Sequence, residues 1–166
     1  GVERIRVREP LPLDLPGEAE IVRLLETPDV TTSRGIRDRA MLELLYGAGL
    51  RNEELCELQV RGVDLARQQL TVRGGRPRGQ GRLLPLSDEC ALWLGRYLDQ
   101  VRPELAADTE RRLFLSTLGR PMARASLIDI VRRTVRRAGL KQRITPHTLR
   151  HCCAAHMLRH RAGLRH

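Results

Sequence analysis

The sequence predicts a mainly α-helical domain carrying a small antiparallel β-sheet, an α+β fold. Apolar residues recur at helical spacing through most of the chain. Two short segments, residues 69–73 and 82–86, break that period and read as strands. Aromatic residues make up only 2% of the chain, so the core must be built from Leu, Val, Ile and Ala. Such a core suits packed helices better than a β-sandwich. With 166 residues, 41% of them hydrophobic, the chain is long enough for one domain with its own core.

The elements follow in order. Residues 1–16 are basic and then proline-rich, with Pro10, Pro12 and Pro16 among Leu and Asp. They read as a linker from a missing N-terminal domain, leaving 17–166 as the domain proper. Ile21, Leu24 and Leu25 predict a helix over 17–27. Ser33 is the expected cap of a helix running to about Tyr46, with Ile36, Ala40, Leu44 and Leu45 as its apolar stripe. Gly47-Ala48-Gly49 ends it, and a short helix follows over 52–58. The two strands then bracket Gly74-Gly75-Arg76-Pro77-Arg78-Gly79-Gln80-Gly81, a loop expected to be exposed, flexible and strongly positive. Ser87 or Asp88 caps a helix over 88–100, with Ala91, Leu92 and Leu94 facing inward. Residues 113–115 form a short apolar run. Residues 125–138 form an amphipathic helix whose polar side carries Arg132, Arg133, Arg136 and Arg137, and Gly139 ends it. Pro146 opens a last helix over 147–160.

The net charge is +10, and Lys141 is the only lysine. Arginine grips phosphate oxygens with a planar fork and stays charged at any working pH. This balance points to a polyanionic partner, most simply nucleic acid. Cys56, Cys90, Cys152 and Cys153 show no zinc-finger spacing, which fits a reducing compartment. No run reaches the length of a membrane span, and residues 1–20 lack a signal-peptide core, so a cytoplasmic protein is expected.

Two segments carry candidate chemistry. In Gly47-Ala48-Gly49-Leu50-Arg51-Asn52-Glu53-Glu54-Leu55, an arginine opens a helix just after a glycine turn. Helix starts favour phosphate through free N–H groups and the helix dipole. Glu54 is placed to reach back and hold the Arg51 guanidinium. In Thr145-Pro146-His147-Thr148-Leu149-Arg150-His151, His147 and Arg150 share a helix face. A titratable imidazole beside a fixed cation suits phosphoryl transfer. His147 and His151 also have metal-ligand spacing, repeated by His156 and His160. Arg150 stands between the first two, and a cation beside a dication is unfavourable, so no metal is expected.

In this order and spacing the two segments resemble the tyrosine recombinase family, which includes phage integrases and Xer-type recombinases. Gly49-Leu50-Arg51-Asn52-Glu53-Glu54-Leu55 is similar to the family's first arginine motif. Pro146-His147-Thr148-Leu149-Arg150-His151 is similar to its PHxLRH box, which Ala154, Ala155, His156 and Leu158 continue. Residues 72–86 resemble its strand–hairpin–strand. The resemblance implies the tyrosine recombinase catalytic-domain fold. It implies site-specific DNA recombination or integration through a 3′-phosphotyrosyl intermediate, with no metal or nucleotide cofactor. Arg51 and Arg150 would clamp the scissile phosphate, and His147 would act as acid/base, with Glu54 in support. The family's hairpin lysine falls at Gly75 or Arg76, so Arg76 stands in that slot. Arg73, Arg78, Arg82 and His151 would contact DNA. The nucleophilic tyrosine is expected beyond this chain, where Ala162-Gly163-Leu164-Arg165 resembles the start of a following helix. Tyr46 and Tyr97 are expected to be packing residues, so these 166 residues alone are not expected to cleave DNA. Double-stranded DNA and further protomers, forming a tetramer on DNA, are the implied partners. A non-catalytic DNA-binding module or a decayed recombinase is the alternative.

Overall fold

The structure, a computed structural model, describes residues 15–73 and 81–164, with side chains through Arg159. In chain order the elements are α1 (Glu18–Leu25), α2 (Ser33–Gly47), α3 (Asn52–Glu57), a 3-10 turn (Val60–Gly62), β1 (Val63–Asp64), β2 (Gln69–Val72) and β3 (Arg82–Pro85). Then come α4 (Asp88–Arg96), a widened π turn (Tyr97–Val101), α5 (Arg102–Leu105), α6 (Arg124–Arg137) and α7 (Pro146–Leu164). This is the expected mainly helical fold with a small antiparallel sheet.

α2 is the central helix. Every residue from 40 to 45 is buried, because α1, α3, α4 and α7 pack around it. Its cap is Thr32 and not Ser33. Thr32 Oγ1 accepts from the Gly35 N–H at 3.0 Å, and the Thr32 N–H and hydroxyl both donate to the Asp29 carbonyl. The turn at Asp29 thus fixes the helix start one residue early.

The sheet has the order β1-β2-β3, antiparallel throughout. Leu70 pairs with Val63 and Leu84, and Val72 pairs with Arg82. Leu70 and Val72 point into the core and are fully buried, whereas Leu83 stands on the outer face. β1 contributes only Val63 and Asp64, too short for any period to show in the sequence.

The helix expected over 88–100 is divided. Ser87 caps α4, its Oγ accepting from the Cys90 N–H at 3.2 Å. Cys90, Trp93, Leu94 and Tyr97 form the buried stripe, which leaves Leu92 on the outer side, 48% exposed, and not facing inward as expected. Pro103 cannot donate a backbone hydrogen bond, and its ring would crowd the carbonyl four residues back. The chain widens before it, with the Arg102 N–H bonding to the Tyr97 carbonyl.

That turn seats Tyr97 at the centre of the molecule. Its hydroxyl donates to the Leu113 carbonyl at 2.7 Å and accepts from the Leu115 N–H at 3.2 Å. Its ring stacks on Phe114, with centroids 5.0 Å apart. Arg102 donates to the Glu110 and Arg112 carbonyls, so the loop ahead of α6 is held to the helical layer.

α6 buries Leu127, Ile130, Val131 and Val135 and exposes Arg132, Arg133, Arg136 and Arg137, as its pattern predicts. Gly139 ends it with φ +71°, a left-handed conformation that favours glycine. α7 begins at Pro146 and continues through Leu164 as one helix. Ala162, Gly163 and Leu164 therefore extend it and do not start another, since no proline interrupts the ladder after His160. Leu15 and Pro16, the end of the expected linker, pack onto the domain, and Pro16 is buried. Residues 1–14 and the loop 74–80, with Arg76 and Arg78, lie outside the described residues. All four cysteines are free and buried. Among the described residues, no helix is long and apolar enough to cross a membrane.

Tyr97→Phe removes one hydroxyl and leaves the Leu115 N–H unpaired in the core. The expected cost is about 1–3 kcal/mol. Urea denaturation checks it, and an unchanged midpoint would contradict this account of the core.

Candidate active site

α2 runs out at Gly47, and the chain turns through Ala48 and Gly49. Gly49 has φ +63°, a conformation strained for any L side chain. A Cβ built there would stand 3.3 Å from Cys153 Sγ, so α7 lies directly against this turn. Leu50 is fully buried and anchors the next step, which leaves Arg51 exposed at the start of α3.

Glu54 sits one turn into α3 and is 7% exposed. Its Oε1 accepts from the Arg51 backbone N–H at 3.0 Å, a capping contact. Arg82 approaches from β3 and donates Nη1 to Oε2 at 2.5 Å and Nη2 to Oε1 at 3.1 Å. The expected grip of Glu54 on the Arg51 guanidinium is thus replaced. Helix geometry turns the carboxylate inward onto the Arg51 backbone, and the Arg82 fork takes the rest. Burial pushes the Glu54 carboxyl up, but the Arg82 and Arg51 hydrogen bonds and the charges of Arg82 and Arg150 outweigh it. The net result holds Glu54 below the usual glutamate range.

Arg150 lies on α7, and its positive charge is the smallest of the influences on Glu54. Its helix starts firmly. The Thr145 N–H donates to Thr148 Oγ1 at 3.1 Å, and the Thr148 N–H donates to Thr145 Oγ1 at 3.2 Å. Leu149 and Cys152 are fully buried, which turns His147, Arg150 and His151 to the other side. His147 is exposed, Arg150 and His151 are half-buried, and the two imidazoles meet edge to face at 4.2 Å. Glu54 thus holds the Arg51 backbone and the Arg82 guanidinium, while Arg150 lies on the side of α7 away from Leu149 and Cys152. Arg73 is exposed at the end of β2. Arg82, expected at the DNA, has its guanidinium engaged by Glu54 while 46% of its side chain remains exposed.

A phage integrase family profile matches residues 17–166. The chain belongs to the phage integrase family. It is 42% identical to the tyrosine recombinase XerD of Xanthomonas axonopodis pv. citri (strain 306), over 93% of this chain and 54% of that protein. It is 37% identical to the XerD of Staphylococcus haemolyticus (strain JCSC1435), over 99% of this chain and 55% of that protein. Among solved structures, the XerA recombinase crystal structure matches with a TM-score of 0.78 at 32% identity, covering 87% of this chain and 50% of that one. The XerH recombinase bound to its difH substrate, a pre-cleavage complex, matches with a TM-score of 0.72 at 21% identity, covering 89% of this chain and 43% of that one. The second likeness is one of fold. The chain spans about half the length of the curated relatives it matches.

Within this phage integrase family domain, both tyrosines are occupied. Tyr97 is fully buried, and burial pushes its hydroxyl up to about 12. Tyr46 bonds His156 Nδ1 at 2.7 Å, and burial likewise pushes it up to about 12. His156, noted in the sequence for metal-ligand spacing, is buried at 3% exposure and has its Nδ1 engaged in that bond. Sequence reasoning also missed Arg124. It pairs with Glu53 at 2.8 Å, while its carbonyl accepts from Asn52 Nδ2 at 3.2 Å, tying α6 to α3. No local pattern marks such a long-range pair.

Glu54→Gln tests the carboxylate. A lowered folded pKa means the ionised form stabilises the fold. That contribution is complete above the unfolded value of about 4.3 and is lost as pH falls through the lower folded value. Arg82 is partly exposed and its pairing is screened, so the variant should lose about 1–3 kcal/mol at pH 7. The gap from wild type should narrow at pH 3 in urea titrations. A gap independent of pH would contradict the ionised pair.

Proposed function

We propose that the protein containing these residues is a site-specific DNA recombinase that cuts and rejoins duplex DNA through a 3′-phosphotyrosyl bond. The observation that carries this is the packing of α7, which bears His147 and Arg150 one turn apart, against the Gly49 turn that leads into Arg51. Two guanidinium groups in one place neutralise the non-bridging oxygens of a phosphodiester as its transition state gains charge. His147 donates a hydrogen bond or moves a proton there. Glu54 holds the start of α3 and the Arg82 guanidinium in place without contacting the phosphate. Tyr46 and Tyr97 are held inside the fold, so the nucleophile is a tyrosine outside residues 1–166. The phosphotyrosyl bond conserves the energy of the broken linkage, and rejoining needs no nucleotide.

Exposed arginines such as Arg51, Arg73, Arg132 and Arg136 supply phosphate contacts, and His151 extends the same face. Arg76, in the hairpin slot, stabilises charge on the leaving oxygen. Residues 1–16 join this catalytic domain to a second DNA-clamping domain, and protomers pair as a tetramer on DNA in the cytoplasm. Relatives crystallised with DNA, such as XerH on difH, support the DNA partner. A second reading has one specific support: Lys141 is the only lysine, and none stands in the loop 74–81. Arginine is a poor proton donor. On that reading the protein binds DNA and does not cut it.

A nicked suicide substrate separates the two readings. The full-length wild type should form a covalent protein–DNA adduct, and Arg150→Ala should slow it by about 10²–10³-fold. Binding without an adduct selects the second reading, and an unimpaired Arg150→Ala removes the site assignment. DNA affinity of this chain should fall steeply between 50 and 200 mM salt, as expected for phosphate contacts. Filter binding over that range checks it, and a flat profile would contradict a phosphate-led interface.

A further inference from the structure

We propose that Tyr46 and His156 form a positioning pair that sets the rotation of α7 against the Arg51 turn, and so the spacing of Arg51 and Arg150. This rests on the recombinase reading above. The Tyr46 hydroxyl and His156 Nδ1 are 2.7 Å apart, although 110 residues separate them in sequence. Their rings meet edge to face at 5.6 Å. His156 is 3% exposed, so the bond is sheltered from competing water.

The placement of the pair is what gives it this role. Tyr46 lies on the last turn of α2, immediately before the Gly47-Ala48-Gly49 turn that delivers Arg51. His156 lies less than two helical turns beyond Arg150 on α7. The sulfur contacts of Cys153 in this seam are weakly directional. Cys153 Sγ lies 3.3 Å from the place a Gly49 Cβ would take and 3.9 Å from the Gly47 carbonyl. Contacts of that kind hold two surfaces together and tolerate a small rotation of one against the other. A hydrogen bond of 2.7 Å does not. Because Arg150 projects from the helix axis, a slight rotation of α7 moves its guanidinium relative to Arg51. Displacements near 1 Å cost phosphoryl-transfer sites heavily in rate.

A positioning pair and a merely stabilising hydrogen bond make different kinetic predictions. In the full-length protein, Tyr46→Phe should slow single-turnover adduct formation at saturating DNA by roughly tenfold or more, with DNA affinity within about twofold of wild type. His156→Leu should do the same, and the double variant should be no slower than the slower single, because one interaction is lost in each case. His156→Gln, which keeps a polar atom toward Tyr46, should recover part of the rate. Tyr97→Phe is the control: it loses stability and keeps the wild-type rate. Tyr46→Phe reacting within twofold of wild type overturns the proposal, as does a fall in rate that only follows a fall in DNA affinity. Should Tyr46→Phe fail to fold, the ordering of His156→Gln above His156→Leu decides, and equal rates overturn it. An Arg150→Ala block beside a wild-type rate for Tyr46→Phe removes this inference alone. No adduct from the wild type removes the recombinase reading with it.

Discussion

One buried carboxylate organises the candidate site. In a chain of net charge +10, Arg82 reaches Glu54 beside the start of α3, and the positive charge around it favours the ionised carboxylate. Glu54 meets that guanidinium from inside the fold, where the attraction is less screened than at the surface. The same side chain closes the start of α3 by accepting the Arg51 N–H. A local requirement of helix ends and a long-range requirement of charge are thus met by a single residue. That coincidence joins α3 and β3 where the chemistry is proposed.

The arginines divide by role in a way composition does not reveal. Arg37 is 3% exposed and spends its guanidinium on Asp38 and the Leu115 carbonyl. Arg102 and Arg112 stitch loops by donating to backbone carbonyls. Arg39 and Arg96 both lie over the Trp93 ring, at 4.6 and 4.8 Å. These groups hold the fold, whereas others among the described residues, such as Arg51, Arg73, Arg132 and Arg136, stand exposed. Net charge therefore overstates the charge left exposed at the surface.

How much the sequence revealed follows from the range of each interaction. Helix α6 was legible within one residue, because its apolar spacing and Gly139 are both local signals. The Arg51 and Arg150 motifs were legible because turn and helix place them without help from distant residues. Leu92 was misread because an apolar residue at the edge of a stripe carries no mark of which side is covered. The π turn needed Pro103 read together with the loop that Tyr97 holds. The partner of Glu54 and the Tyr46–His156 bond were beyond reach, since each joins segments that only the folded chain brings together.

The four buried thiols make the domain its own reporter of local opening. Burial pushes Cys56, Cys90 and Cys152 up to about 11 and raises Cys153 as well. Only the thiolate reacts with alkylating reagents, so the native fold hides these groups both sterically and chemically. Cys153 becomes reactive when α7 lifts from the Gly49 turn, and Cys56 when α3 loosens. Alkylation kinetics, resolved by peptide mass, would therefore map the breathing of each seam without any label being introduced.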